Sequence, residues 1–146
     1  MTSASNLVAY NAWAAFRLID ALEKAATAPD RARSLLGHIV AAEHVWHRRV
    51  QGVSTELPFW PDLGLPELRA LAQSNRSDWE RVIVEDDLGR VVSYRNSQGI
   101  AYQTAIHDIL THLVGHGAYH RGQITESMRD AGLELVNTDF IVFTRQ

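Results

Sequence analysis

Three histidines stand four residues apart, at His112, His116 and His120. On a helix, residues i and i+4 share a face with Cβ atoms about 6 Å apart, so His116 and His120 can direct two imidazoles at one ion. His112 extends the run, but eight residues of helix rise about 12 Å, too far for all three to grip one metal. His112 is therefore read as a packing or supporting residue. A two-ligand site would be weak, and an upstream segment offers His38, Glu43, His44 and His47 for a third contact from a facing helix. His38 shares a side with Ala42 and Val45 at the border of an apolar stripe, whereas His47 adjoins Arg48 and Arg49 in solvent-like company. His38 is the first choice on that ground, and His44 stays open as its competitor. His107, alone near a helix start, is read as structural.

There are no cysteines. Disulfides, thiolate nucleophiles and thiolate ligands are excluded together, and any metal must sit on nitrogen and oxygen. Three neutral histidines leave coordination positions for water or substrate, the open arrangement of catalytic sites. An ion held this way can lower the pKa of a water toward neutrality, or take a substrate thiol as thiolate. Around these ligands, Glu43 is read as facing away or pairing with Arg121. Arg121 and Gln123 follow the last histidine and either fix its orientation or bridge to neighbouring helices, and the structural role is preferred. Gly115, Gly117 and Gly122 each weaken an isolated helix by about 1 kcal/mol relative to alanine, which points to close helix contact or space near the metal. Tyr10, Asn11 and Trp13 are pocket or core residues.

The elements that must carry these residues are helical. Leu7, Tyr10, Trp13, Ala14, Leu18, Ala21 and Leu22 recur at three- and four-residue steps and predict a helix over about 5–26. Pro29 and Asp30 supply a start signal for a second, to about residue 51, on which Leu35, Ile39, Ala42, Trp46 and Val50 recur. Residues 52–64, with glycine, proline, Phe59 and Trp60, read as an irregular loop folded back on the bundle. Pro66 opens a third helix to about residue 84, with a polar stretch at 73–78 that interrupts its apolar side. Residues 91–101 carry strand formers around the turn formers Asn96, Ser97, Gln98 and Gly99, and predict a small hairpin. A long fourth helix then carries the histidine run and ends near Gly132, and the C-terminal residues 139–146 pack back on the bundle. The expected fold is all-α, a four-helix bundle with a hairpin excursion between helices three and four, in a single domain over 1–146.

Composition narrows the function classes. With 46% hydrophobic and 21% charged residues the chain has the makeup of a globule with one core. A net charge of −3 gives no general attraction to nucleic acid or an anionic membrane. No apolar run approaches the roughly 20 residues of a membrane span, and no basic-then-apolar order marks a secretory signal, so a cytoplasmic location is expected.

The segment from Thr111 to Ile124, with its His116-Gly117-Ala118-Tyr119-His120-Arg121-Gly122-Gln123 centre, resembles the signature of the DinB-like (damage-inducible, YfiT-related) proteins. Tyr10-Asn11-Ala12-Trp13-Ala14 and the stretch from Gly37 to Trp46 match in order and separation, so the resemblance covers essentially the whole chain. It implies a four-helix bundle, often a homodimer, with His38, His116 and His120 holding one divalent ion. Nickel and zinc come first, and iron and copper are also compatible with the ligands. It thus selects His38 over His44. Some similar proteins are thiol S-transferases. The expected function is a metal-dependent enzyme, a low-molecular-weight thiol S-transferase or a small-molecule hydrolase, with a small thiol or electrophile as partner. The alternative is a non-catalytic metal-binding or stress-associated protein. No catalytic residue beyond the ligands is assigned.

Overall fold

The computed structural model describes residues 2–146 of the 146-residue chain. Helix α1 (Ala4–Glu23) starts where the Ser3 hydroxyl accepts from the Asn6 N–H at 3.2 Å, satisfying one of the amides that a helix start leaves free. Its apolar stripe, Val8, Ala15, Leu18, Ile19 and Leu22, is buried. Helix α2 (Asp30–Gln51) carries Asp30 in its first turn and Arg48 and Arg49 in its last, charges that complement the helix dipole. It stops at Gly52, whose φ of 69° is the left-handed conformation glycine adopts without steric penalty. Helix α3 (Leu65–Glu85) has Pro66 in its first turn and is held at its start by the Glu67 carboxylate, which accepts from the Gly64 N–H at 2.9 Å.

Strands β1 (Val91–Arg95) and β2 (Ala101–Ala105) pair antiparallel, with Val91 opposite Ala105 and Arg95 opposite Ala101. The Asn96 side-chain oxygen closes their turn by accepting from the N–H groups of Gln98 and Ile100. Helix α4 (Ile106–Asp130) follows directly, and a short α5 (Phe140–Phe143) ends the chain. Helix α2 packs on α4 and α3, while α1 packs chiefly on α3. One apolar cluster joins Leu18, Ile19, Leu36, Leu68 and Ile124; a second gathers Val8, Trp79, Ile106, Ile109 and Leu113.

The all-α bundle with a hairpin between helices three and four is the architecture observed. The first helix ends at Glu23 rather than near residue 26, and the polar stretch at 73–78 does not interrupt α3. Asn75, in that stretch, is buried and donates to the Val40 carbonyl at 2.8 Å, so a polar residue serves the interior. The C-terminal segment does pack back: the Phe140 and Phe143 rings lie 5.0 and 5.7 Å from the Tyr10 ring. No helix among the described residues is long and apolar enough to cross a membrane.

Candidate metal centre

His38 sits in the third turn of α2, 9% exposed, between buried Gly37 and Ile39. His116 and His120 stand one turn apart on the facing side of α4. One ligand atom from each of the three lies within 4.8 Å of the others. The closest pair is Nε2 of His38 and Nε2 of His116, at 2.9 Å. Ring centroids of 4.7 Å for His38 with His116, 4.8 Å for His38 with His120 and 4.6 Å for His116 with His120 describe a compact triangle.

The outward nitrogens are held from behind. Nδ1 of His38 donates to the Phe59 carbonyl at 2.7 Å, and Nδ1 of His120 donates to the Gln123 side-chain oxygen at 2.7 Å. A carbonyl can only accept, so each bond places the proton on Nδ1 and leaves the Nε2 lone pair facing the centre. Metal-ligating histidines are typically oriented by such outer acceptors. The Trp60 indole stacks on the His38 ring at 3.9 Å with 1° between planes, and fixes the ring's rotation.

Electrostatics favour the neutral form of His38 and His116. Burial pushes the His116 pKa down to about 4, assisted by the neighbouring His38, His120 and His112. Burial also lowers His38, partly opposed by its bond to the Phe59 carbonyl. Neutral imidazole is the form that can ligate a metal. Three nitrogens, no thiolate and two outer acceptors suit a borderline divalent ion. The group is one that could hold a metal ion.

The remaining histidines go elsewhere. His112 is exposed, its ring 5.4 Å from that of His116 and 5.6 Å from Trp46, outside the triangle and in the packing role expected of it. His44 turns to the Thr55 hydroxyl at 3.0 Å. His47 is not in solvent-like company: it is 9% exposed, with Asp78 at 3.8 Å and the Trp79 ring at 5.9 Å, because α3 covers that face of α2. His107 is exposed and donates through Nδ1 to the Leu88 carbonyl at 3.1 Å, bracing the entry to α4.

A polar interior lies beside the triangle. Glu43 is buried, with Asn75 donating to its carboxylate at 3.4 Å. Burial raises its pKa to about 7, opposed by the positive charge of Arg121 and by the Asn75 bond. Buried Arg121 donates to the Tyr10 hydroxyl at 2.9 Å, and that hydroxyl donates to the Thr138 carbonyl at 2.8 Å, tying α4 to α1 and the C-terminal segment. The glycines divide. A Cβ on Gly117 would stand 2.6 Å from Nη1 of Arg121, so this glycine makes room for that side chain. Gly115 and Gly122 face open space, so of the two expected reasons, close helix contact is not the one at either. Phe59 and Trp60 were legible only as aromatics in a proline-bounded loop, the one signal that the loop returns to the bundle.

A helical bundle with clustered histidines on facing helices is the class of protein that this fold and site define. The chain belongs to the DinB family, whose model matches residues 1–146. It is also similar to Protein DinB of Bacillus subtilis (strain 168), 34% identical over 56 residues. That match covers 38% of this chain and 33% of the length of the relative.

Proposed function

We propose that the protein holds one divalent transition ion, nickel or zinc before iron or copper, on His38, His116 and His120, and uses it on a small molecule. The meeting of three imidazole nitrogens within 4.8 Å, two of them locked by acceptors behind the ring, carries this reading. When bound, the ion supplies Lewis acidity that lowers the pKa of a water or a thiol. The reaction class is transfer of a low-molecular-weight thiol to an electrophile, or hydrolysis of a small electrophilic substrate. The chain's own part is to present three imidazole nitrogens and to hold the His38 ring through Phe59 and Trp60 and the His120 ring through Gln123. The working protein is a cytoplasmic homodimer with no nucleic-acid or membrane partner.

Elemental analysis of tag-free protein tests the ligand set. Close to one ion per chain, lost in both His38→Ala and His116→Ala, supports it; metal retained in either variant refutes it. A panel of thiols and electrophiles then tests turnover by metal-loaded protein, with His116→Ala as the control. A second reading, a non-catalytic metal-binding or stress-associated protein, is favoured by the placement of the triangle across α2 and α4, where an ion would staple two helices. In that case metal raises the melting temperature and no pair in the panel turns over.

A further inference from the structure

The surface beside the histidine triangle carries two large aromatics that belong to neither apolar cluster: Trp60, 54% exposed, and Tyr119, 68% exposed. The other tryptophans and Tyr10 are buried or half-buried. Trp60 covers His38 with one indole face at 3.9 Å, and its ring also lies 6.1 Å from His120, edge-on at 83°. Tyr119 approaches His120 at 5.1 Å with 81° between rings. Two residues from different elements, a loop and a helix, thus border the same imidazole.

The loop that carries Trp60 is held in place. The Phe59 carbonyl is bonded to His38, Pro61 is buried, and Arg33 donates to the Asp62 carboxylate at 2.8 Å and to the Leu63 carbonyl at 2.7 Å. That pins the loop on both sides of Trp60. Tyr119 is in the middle of α4. The second face of the indole points away from His38, so it is the rim of the ring, 6.1 Å from His120 between centroids, that borders the site, and a rigid aromatic edge gains contact with little ordering cost when a flat group settles against it. Neither side chain carries charge, so what they select is shape and apolarity.

We propose that Trp60 and Tyr119 form an aromatic rim that selects, for the open position of the histidine site, ligands bearing a planar aryl group next to the metal-binding atom. This rests on the metal-binding reading above. Edge contacts of this kind change affinity by up to about tenfold.

Cobalt-loaded full-length protein titrated with imidazole and with 4-phenylimidazole, and followed by the visible cobalt bands, measures the preference directly. The expected result is an affinity several-fold to about tenfold higher for the phenyl probe. In Trp60→Ala and in Tyr119→Ala that ratio falls several-fold, while Trp60→Phe keeps most of it. A general change at the ion shifts both probes together and cancels in the ratio, so damage to His38 orientation does not mimic the loss. A ratio near one in the wild type, or an unchanged ratio in both alanine variants, overturns the rim. A second copy of the chain covering Trp60 also gives a ratio near one and overturns it. Protein that takes up no cobalt removes the metal reading and the rim with it. Protein that takes up cobalt and binds imidazole without aryl preference removes the rim alone.

Discussion

Helix α2 carries histidines at both ends of its buried face, and they meet different fates. His38 and His47 are each 9% exposed, and burial is the leading cause of a lowered pKa in both. His38 looks across to α4, where two more imidazoles stand one turn apart. His47 looks across to α3 and meets one carboxylate at 3.8 Å and an indole. Residue type and burial are therefore the same, and the opposing helix decides. Lone pairs from three imidazoles, two of them with their outer nitrogens already occupied, make a group that could hold a metal ion, whereas one largely neutral imidazole near a half-buried carboxylate does not.

The largest effect that can break this contrast is on metal content. His38→Ala and His116→Ala are expected to lose essentially all bound metal, and His47→Ala to keep it; elemental analysis that finds metal lost from His47→Ala would place a ligand at the wrong end of α2. A smaller effect is expected behind the ring. Gln123→Leu removes the acceptor that holds Nδ1 of His120, and the affinity for zinc in competition with a chromophoric chelator is expected to fall roughly 10- to 100-fold. Removing the Thr55 hydroxyl from His44 should leave that affinity unchanged.

Glu43, between the two ends, sharpens the contrast through pH. Its folded pKa of about 7 stands above the ordinary 4.5, so it binds its proton more tightly folded than unfolded. Its contribution is fully present below pH 4.5 and is lost as pH rises through 7, a swing of about 3 kcal/mol by the usual value per pKa unit. Urea titrations of metal-free wild type and Glu43→Gln across pH 4.5–8 should show that slope in the wild type and its absence from the variant. A difference between the two proteins that does not vary with pH would show that Glu43 is already ionised when folded.

The smallest expected effects separate the glycines around His116. Gly117→Ala brings a Cβ to 2.6 Å from Nη1 of the buried Arg121, whose end must shift, and that cost should offset its gain in helix propensity of about 1 kcal/mol. Gly122→Ala meets nothing within 4 Å and should stabilise by up to about 1 kcal/mol. Thermal melts of the two variants, run side by side, check the order.

What could be read without a structure was what repeats locally. A four-residue step is one turn of helix, so the His116 and His120 pair, the four long helices and the hairpin around Asn96 were legible from periodicity and turn chemistry. Spacing along α2 did not separate His38 from His44, and it placed His47 in solvent. Which face of a helix is covered depends on how α2, α3 and α4 rotate against one another, a global quantity that no short window encodes. The same holds for the Phe59 carbonyl and the Trp60 indole. They come from an irregular loop whose backbone reaches His38 only because Pro61 and the Arg33 contacts fold it onto the bundle. The sequence alone determined the elements and two of the three histidines, with His38 chosen through its face and the family resemblance; the packing of helices and loop decided how the three meet and everything that orients them, because those contacts join residues far apart along the chain.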